Sequence, residues 1–134
     1  MAVVRSEVLP LRTDPDVVRA RQAVRDHARQ EGFTLVDQTK IVTAASELAR
    51  NTIIHGGGGE MRLEIVQEGL RRGLRLTFED KGPGIPDLQL ALRDGYTTGT
   101  GMGLGLGGAK RLCNEFAVET KVGEGTRVTV VKWK

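Results

Sequence analysis

The chain is 134 residues long, 39% hydrophobic and 28% charged, with a formal net charge of +3. That balance fits one soluble folded domain with a real core and excludes a disordered chain. No apolar run is long enough to span a bilayer, residues 1–7 lack a signal-peptide pattern, and the single cysteine, Cys113, excludes an internal disulfide and suits a reducing cytoplasm.

Val3 to Leu11 alternates weakly and reads as an edge strand ended by Pro10. Asp14-Pro15 predicts a helix start, with Asp14 as N-cap. Val17, Ala20, Val24 and Ala28 recur at helical spacing, and Gly32 ends the helix. Arg21, Arg25 and Arg29 form a stripe along one face, read either as a solvated face or as a docking site. The second helix runs from about Leu35 to His55, with Ile41, Val42, Ala45, Leu48, Ala49, Thr52 and Ile53 as its apolar face. Glu47, Asn51 and His55 follow at i, i+4 and i+8 and border that face, so their side chains are expected to open onto a cleft. Gly56-Gly57-Gly58-Gly59 stops the helix.

Glu60 to Glu68 alternates, with Met61, Leu63 and Ile65 on one side and Arg62 and Glu64 on the other. Residues 69–73 read as a hairpin turn. Leu74, Leu76 and Phe78 are the inward face of the next strand, and Asp80 shares their parity. Its carboxylate is therefore expected on the core side where the strand ends. Lys81-Gly82-Pro83-Gly84-Ile85-Pro86 is a rigid turn, and a short helix is predicted over 87–94. Six glycines then fall between Gly99 and Gly108. Ordering such a run is entropically costly, and glycine lets backbone N–H groups approach an anion. The helix near 105–113 follows it, so the loop feeds a helix N-terminus. Residues 116–120, a turn at 123–125 and a last strand at 126–133 close the chain. Val128 and Val130 share parity with Thr126, whose hydroxyl is placed on the core side. Cys113 reads as a buried small hydrophobe. The order predicts an α/β two-layer sandwich, with a mixed, largely antiparallel sheet and helices on one face.

Gly103-Leu104-Gly105-Leu106-Gly107-Gly108 matches G-x-G-x-x-G, but residues 94–98 before it are polar and turn-like. A dinucleotide fold needs a strand there. No Walker-type phosphate loop and no eukaryotic-type kinase signature occurs. What remains is a constellation suited to ATP with Mg²⁺. Asn51 offers a hard amide oxygen to Mg²⁺ beside phosphates. Asp80 can accept a hydrogen bond from the adenine amino group. Gly84 lets the base pack close to the backbone, and the Gly-rich loop offers N–H groups to phosphates. Glu47, one turn before Asn51, can take a proton from an attacking hydroxyl. Singly, Glu47 also reads as a helix-surface carboxylate, Asn51 as a helix-end polar residue and Asp80 as a turn-starting Asp.

Taken together, these residues resemble the GHKL ATPase/kinase superfamily and its Bergerat ATP-binding fold. Glu47-Leu48-Ala49-Arg50-Asn51 resembles the N box. Asp80-Lys81-Gly82-Pro83-Gly84-Ile85 resembles the first glycine box. Gly99-Thr100-Gly101-Met102-Gly103-Leu104-Gly105 resembles the second, and Gly125-Thr126 the final-strand Thr. The short length, the Ala49–Gly59 run, Asp94-Gly95-Tyr96-Thr97-Thr98-Gly99, the 107–112 segment and Lys132-Trp133 are similar to the bacterial serine/threonine kinases of partner-switching pathways, the stressosome switch kinases among them.

That resemblance implies a nucleotide site lined by Gly82, Gly84, Ile85 and residues 99–105. In it Asn51 serves Mg²⁺, Asp80 serves adenine, and Thr126 helps hold adenine directly or through water. It implies phosphorylation of Ser/Thr on STAS-domain scaffold proteins and, after release, activation of a serine phosphatase. An anti-sigma kinase of the same fold and a nucleotide-gated binding module are the competing readings. A sensor histidine kinase has no room for a dimerisation domain in this length. With aromatics at 4%, nucleic-acid binding rests only on net charge, and neither a nucleic-acid nor a membrane partner is expected. The segment before the Gly-rich loop is short, so Gly99–Gly103 is expected to be mobile without nucleotide.

Overall fold

A computed structural model describes residues 1–88, 92 and 105–134. Among these residues the chain order is β1 (Ala2–Leu11), α1 (Asp14–Gln30), α2 (Leu35–Ile54), β2 (Gly59–Glu68), β3 (Arg71–Asp80), α3 (Gly105–Leu112), β4 (Glu115–Lys121) and β5 (Gly125–Trp133). The strands form one sheet in the order β1-β2-β3-β5-β4, and every neighbouring pair is antiparallel. The expectation of a largely antiparallel sheet holds, with no parallel pair among the described residues, and the connections explain why. α1 runs away from the end of β1 and α2 returns, so β2 must start beside Leu11, which pairs with Gly59. Among the described residues α3 links β3 to β4, which would leave those strands parallel if they were adjacent. β5 lies between them and pairs antiparallel with both.

The helices cover one face. Met61, Leu63, Ile65, Leu74, Leu76, Phe78, Val128 and Val130 point from the sheet onto Val24, Ile41, Ala45, Leu48, Ala49, Leu106 and Ala109. Burying each large side chain of this set contributes about 1.5–3 kcal/mol. The other face is open and charged. There Arg75 reaches Glu64 at 2.9 Å, and Arg127 reaches Glu119 at 2.7 Å.

The helix ends follow local chemistry, with one correction. Thr13, not Asp14, is the N-cap of α1. Asp16 reaches back to accept from the N–H groups of Arg12 at 2.9 Å and Thr13 at 3.1 Å. Those two bonds hold its carboxyl below the ordinary range. A side chain that satisfies two N–H groups at the helix start outcompetes Asp14, one position too far in. Gly32 ends α1 as expected, at φ +83°. Gly32 N–H bonds Arg29 O at 3.0 Å and Phe33 N–H bonds Ala28 O at 3.0 Å, a Schellman ending.

At the far end Lys132 is only 7% exposed, on the inward parity of Val128 and Val130. Its ammonium donates to Leu112 O, the last residue of α3, at 3.0 Å. It lies 3.6 Å from Asp37 in the first turn of α2. A cation at a helix C-terminus is favourable, so Lys132 ties the bottom of α3 to the bottom of α2. Cys113 beside it is half-buried and packs on the core. Burial pushes its thiol up to about 11, against the lowering effect of Lys132.

Gly125 marks a tight backbone approach. Its φ is +123°, and a Cβ there would overlap the Asp80 carbonyl oxygen. Gly125→Ala is expected to cost at least about 2 kcal/mol through backbone strain and overlap. For a chain of this size that is a fall in Tm of about 6–12 °C, to be read by thermal denaturation.

Candidate functional site

The site is built where one end of the sheet meets the C-terminal end of α2. The pairing register sets Gly59, Asp80, Thr126 and Thr120 in one row across β2, β3, β5 and β4. The row is one step beyond the inward row of Met61, Phe78, Val128 and Val118, and shares its parity. Alternation therefore directs Asp80, Thr126 and Thr120 to the helix-covered side, past the last apolar layer.

Asp80 is half-buried. Its Oδ1 accepts from Gly82 N–H at 2.9 Å, which starts the turn and leaves Oδ2 as an acceptor. Glycines press the surrounding backbone together. A Cβ on Gly56 would overlap the Asp80 carboxyl, and one on Gly82 would stand 2.7 Å from Gly56 Cα. Gly84 has φ +78°, and a Cβ on it would stand 2.6 Å from Lys121 O. The Lys81–Pro86 turn is thus clamped between the end of α2 and the β4–β5 hairpin. Gly123 N–H closes the clamp on Pro83 O at 2.8 Å.

On α2 the polar stripe emerges from the core toward this end. Glu47 is buried, at 4% exposure, Asn51 is half-buried and His55 is exposed. His55 is the C-cap, its N–H bonding Asn51 O at 2.9 Å. Gly56, against Asp80, also bonds Asn51 O, at 3.3 Å. Asn51 therefore lies about 7 Å along the axis from the residue that touches Asp80, and Glu47 about 6 Å deeper. Arg50 Nη1 approaches Glu47 Oε1 at 3.5 Å. Among the described residues the Asn51 side-chain amide has no hydrogen-bond partner.

Gly105 opens α3 at φ +59°. Gly105, Leu106, Gly107 and Ala109 are buried against α2, small residues allowing close approach. Since Leu112 sits at the Lys132 end, the N-terminus of α3 points back toward the Asp80 row. Gly99, Thr100, Gly101, Met102, Gly103 and Leu104 lie outside the described residues, as does the expected mobility of Gly99–Gly103. Most of the helix expected over 87–94 does too. Leu92 N–H bonds Leu88 O at 3.0 Å, the span of one α-turn.

The structure thus brings Asp80, Gly82, Gly84, Ile85 and Thr126 together, with Asn51 and Glu47 one and two turns down α2. Thr120 has no motif signal and belongs to this group. Its hydroxyl accepts from Ile85 N–H at 2.9 Å and meets Thr126 Oγ1 at 2.9 Å. Inward parity on β4, shared with Phe116 and Val118, was the one sequence sign of it. Trp133 is structural. Its ring N–H bonds Glu115 at 2.6 Å, and Arg71 stacks 3.9 Å from its ring centre. No helix among the described residues is long and apolar enough to cross a membrane.

Residues 36–134 match the family described as histidine kinase-, DNA gyrase B-, and HSP90-like ATPase. Over 121 residues the chain is 46% identical to the serine/threonine-protein kinase RsbT of Bacillus subtilis, covering 90% of this chain and 91% of that protein. It is 31% identical to the anti-sigma F factor of Geobacillus kaustophilus, covering 84% and 81%. The fold matches the RsbU and RsbW domains of Rv1364c from Mycobacterium tuberculosis at TM-score 0.64 and 18% identity. That match covers 98% of this chain but 33% of the other. The chain belongs to the histidine kinase-, DNA gyrase B-, and HSP90-like (GHKL) ATPase family, and it is a protein serine/threonine kinase of that family.

Proposed function

We propose that the protein transfers the γ-phosphoryl group of ATP to a serine or threonine of a STAS-domain partner in the cytoplasm, and on release from that partner activates a serine phosphatase. The observation that carries the reading is the 46% identity to RsbT over nine-tenths of the chain. The meeting of the Asp80 row with the Asn51 end of α2 supplies its physical support. The 31% identity to an anti-sigma F factor makes sigma-factor binding the competing reading, and the lower identity ranks it second.

Within the proposed site Asp80 Oδ2 accepts from the amino group of adenine, Thr126 helps hold the base, and the Gly82–Ile85 turn packs on it. The Gly-rich run at 99–105 is assigned to the phosphates. The donor set fits Mg²⁺. Among the described residues no group of three His, Cys, Asp or Glu forms a cage, and Mg²⁺ beside phosphate needs few protein ligands. The Asn51 amide oxygen, without a partner among the described residues, supplies one. When bound, the ion neutralises charge on the transferred group. Glu47 takes the proton of the incoming hydroxyl, and its burial restricts access to a substrate side chain that reaches down α2.

The test incubates the protein with labelled ATP and candidate STAS-domain proteins and maps the phosphorylated residue. Labelled serine or threonine on the partner is expected, with Glu47→Gln slowing turnover by at least about 100-fold at unchanged ATP affinity. Capture of a sigma factor without transfer to any STAS protein would favour the competing reading.

A further inference from the structure

We infer that Thr120 is a specificity-positioning residue for the purine base, orienting the hydroxyl proton of Thr126 without touching the base itself. The inference rests on the proposed ATP reading of Asp80 and Thr126. One lone pair of Thr120 Oγ1 is taken by Ile85 N–H at 2.9 Å. Its single proton then has two acceptors within reach: Thr126 Oγ1 at 2.9 Å and Gly125 O at 3.3 Å. Hydroxyl donors bond oxygen at about 2.5–3.0 Å, so the proton is assigned to Thr126, the nearer acceptor. Thr126 keeps its own proton for the site.

On the adjacent strand Asp80 Oδ1 is taken by Gly82 N–H, and Oδ2 remains as an acceptor. The row then presents an acceptor beside a donor. The edge of adenine carries an amino donor beside a ring-nitrogen acceptor, which matches. The edge of guanine carries a carbonyl acceptor beside a ring N–H donor, which clashes at both positions. Were the Thr120 proton turned to Gly125 O, Thr126 would spend its proton on Thr120. The row would then hold two acceptors and match neither base. Sites built around a hydrogen-bonding polarity reject the analogue that breaks it.

The experiment titrates the full chain with ATP, GTP and 1-deaza-ATP, which lacks the ring-nitrogen acceptor, in the presence of Mg²⁺ and by calorimetry. The wild-type chain is expected to prefer ATP over 1-deaza-ATP by about tenfold. Thr120→Val removes the donor that pins the Thr126 hydroxyl, which is then free to turn its proton away from the base, so the ratio is expected to fall by weakening of ATP alone, and Thr120→Ser to restore it. Thr120→Ala gives the same readout should valine crowd Ile85. A merely structural role weakens all nucleotides alike and leaves the ratio intact, and that result overturns the inference. So does a wild-type chain that binds ATP and 1-deaza-ATP equally. If the wild-type chain binds no ATP, or Asp80→Asn binds it undiminished, the underlying site reading fails as well. An Asp80-dependent site with an unchanged ratio in the Thr120 variants sinks the Thr120 role alone.

Discussion

Asp80→Asn is expected to weaken ATP binding by about 100-fold and to abolish phosphotransfer, while the fold survives. The two oxygens of Asp80 have different duties. Oδ1 accepts Gly82 N–H at 2.9 Å and starts the turn. An Asn oxygen can keep that bond, so the turn and the glycine packing around it persist. The Asn amide nitrogen then takes the place of Oδ2, and in the proposed pose it opposes the adenine amino group, donor against donor. A buried polar mismatch costs more than a lost bond. Calorimetric titration with a non-hydrolysable ATP analogue, alongside a melting curve, separates the two effects. An unchanged affinity with an unchanged melt removes Asp80 from the base site.

Asn51→Ala is expected to reduce kcat by about 10²–10³-fold, with a loss of the Mg²⁺ dependence of ATP binding. Asn51 has no side-chain partner among the described residues, and alanine is the better helix former. Stability should therefore hold or rise, which separates the effect from misfolding. The measurement is phosphotransfer to a STAS partner, with ATP-analogue affinity determined with and without Mg²⁺. The two variants are expected to part here. Asp80→Asn weakens nucleotide in both conditions, and Asn51→Ala only where Mg²⁺ contributes. An Asn51→Ala chain whose affinity still rises with Mg²⁺ takes the metal role away from that residue.

Much of this architecture was legible from local rules. The 3.6-residue period of Ile41, Ala45, Leu48 and Thr52 marks α2, and the period of two at Leu74, Leu76 and Phe78 marks β3. The same parity carries Asp80 and Thr126 to the inward side. Glycines mark the helix ends because positive φ at Gly32 and close approach at Gly56 leave few other residues possible. The start of α1 was misplaced by one residue, because Asp16 works through its side chain on Arg12 and Thr13, a bond that propensity does not rank.

The sequence by itself determined the elements, the inward parity of Asp80 and Thr126, the clustering of motifs that mark a GHKL kinase, and the placing of Glu47 and Asn51 on one helix edge. These depend on backbone period and on residues near in the chain. Tertiary structure alone decided the strand order, with β5 between β3 and β4, and so the pairing of Asp80 with Thr126 and of Thr126 with Thr120. It alone showed Lys132 buried between the ends of two helices, and the Thr120 hydroxyl joined to Ile85, 35 residues away. Register between distant strands is set by packing of the whole sheet against its helices. Thr120 is therefore one threonine among several in the chain, and only the fold places its hydroxyl beside Thr126.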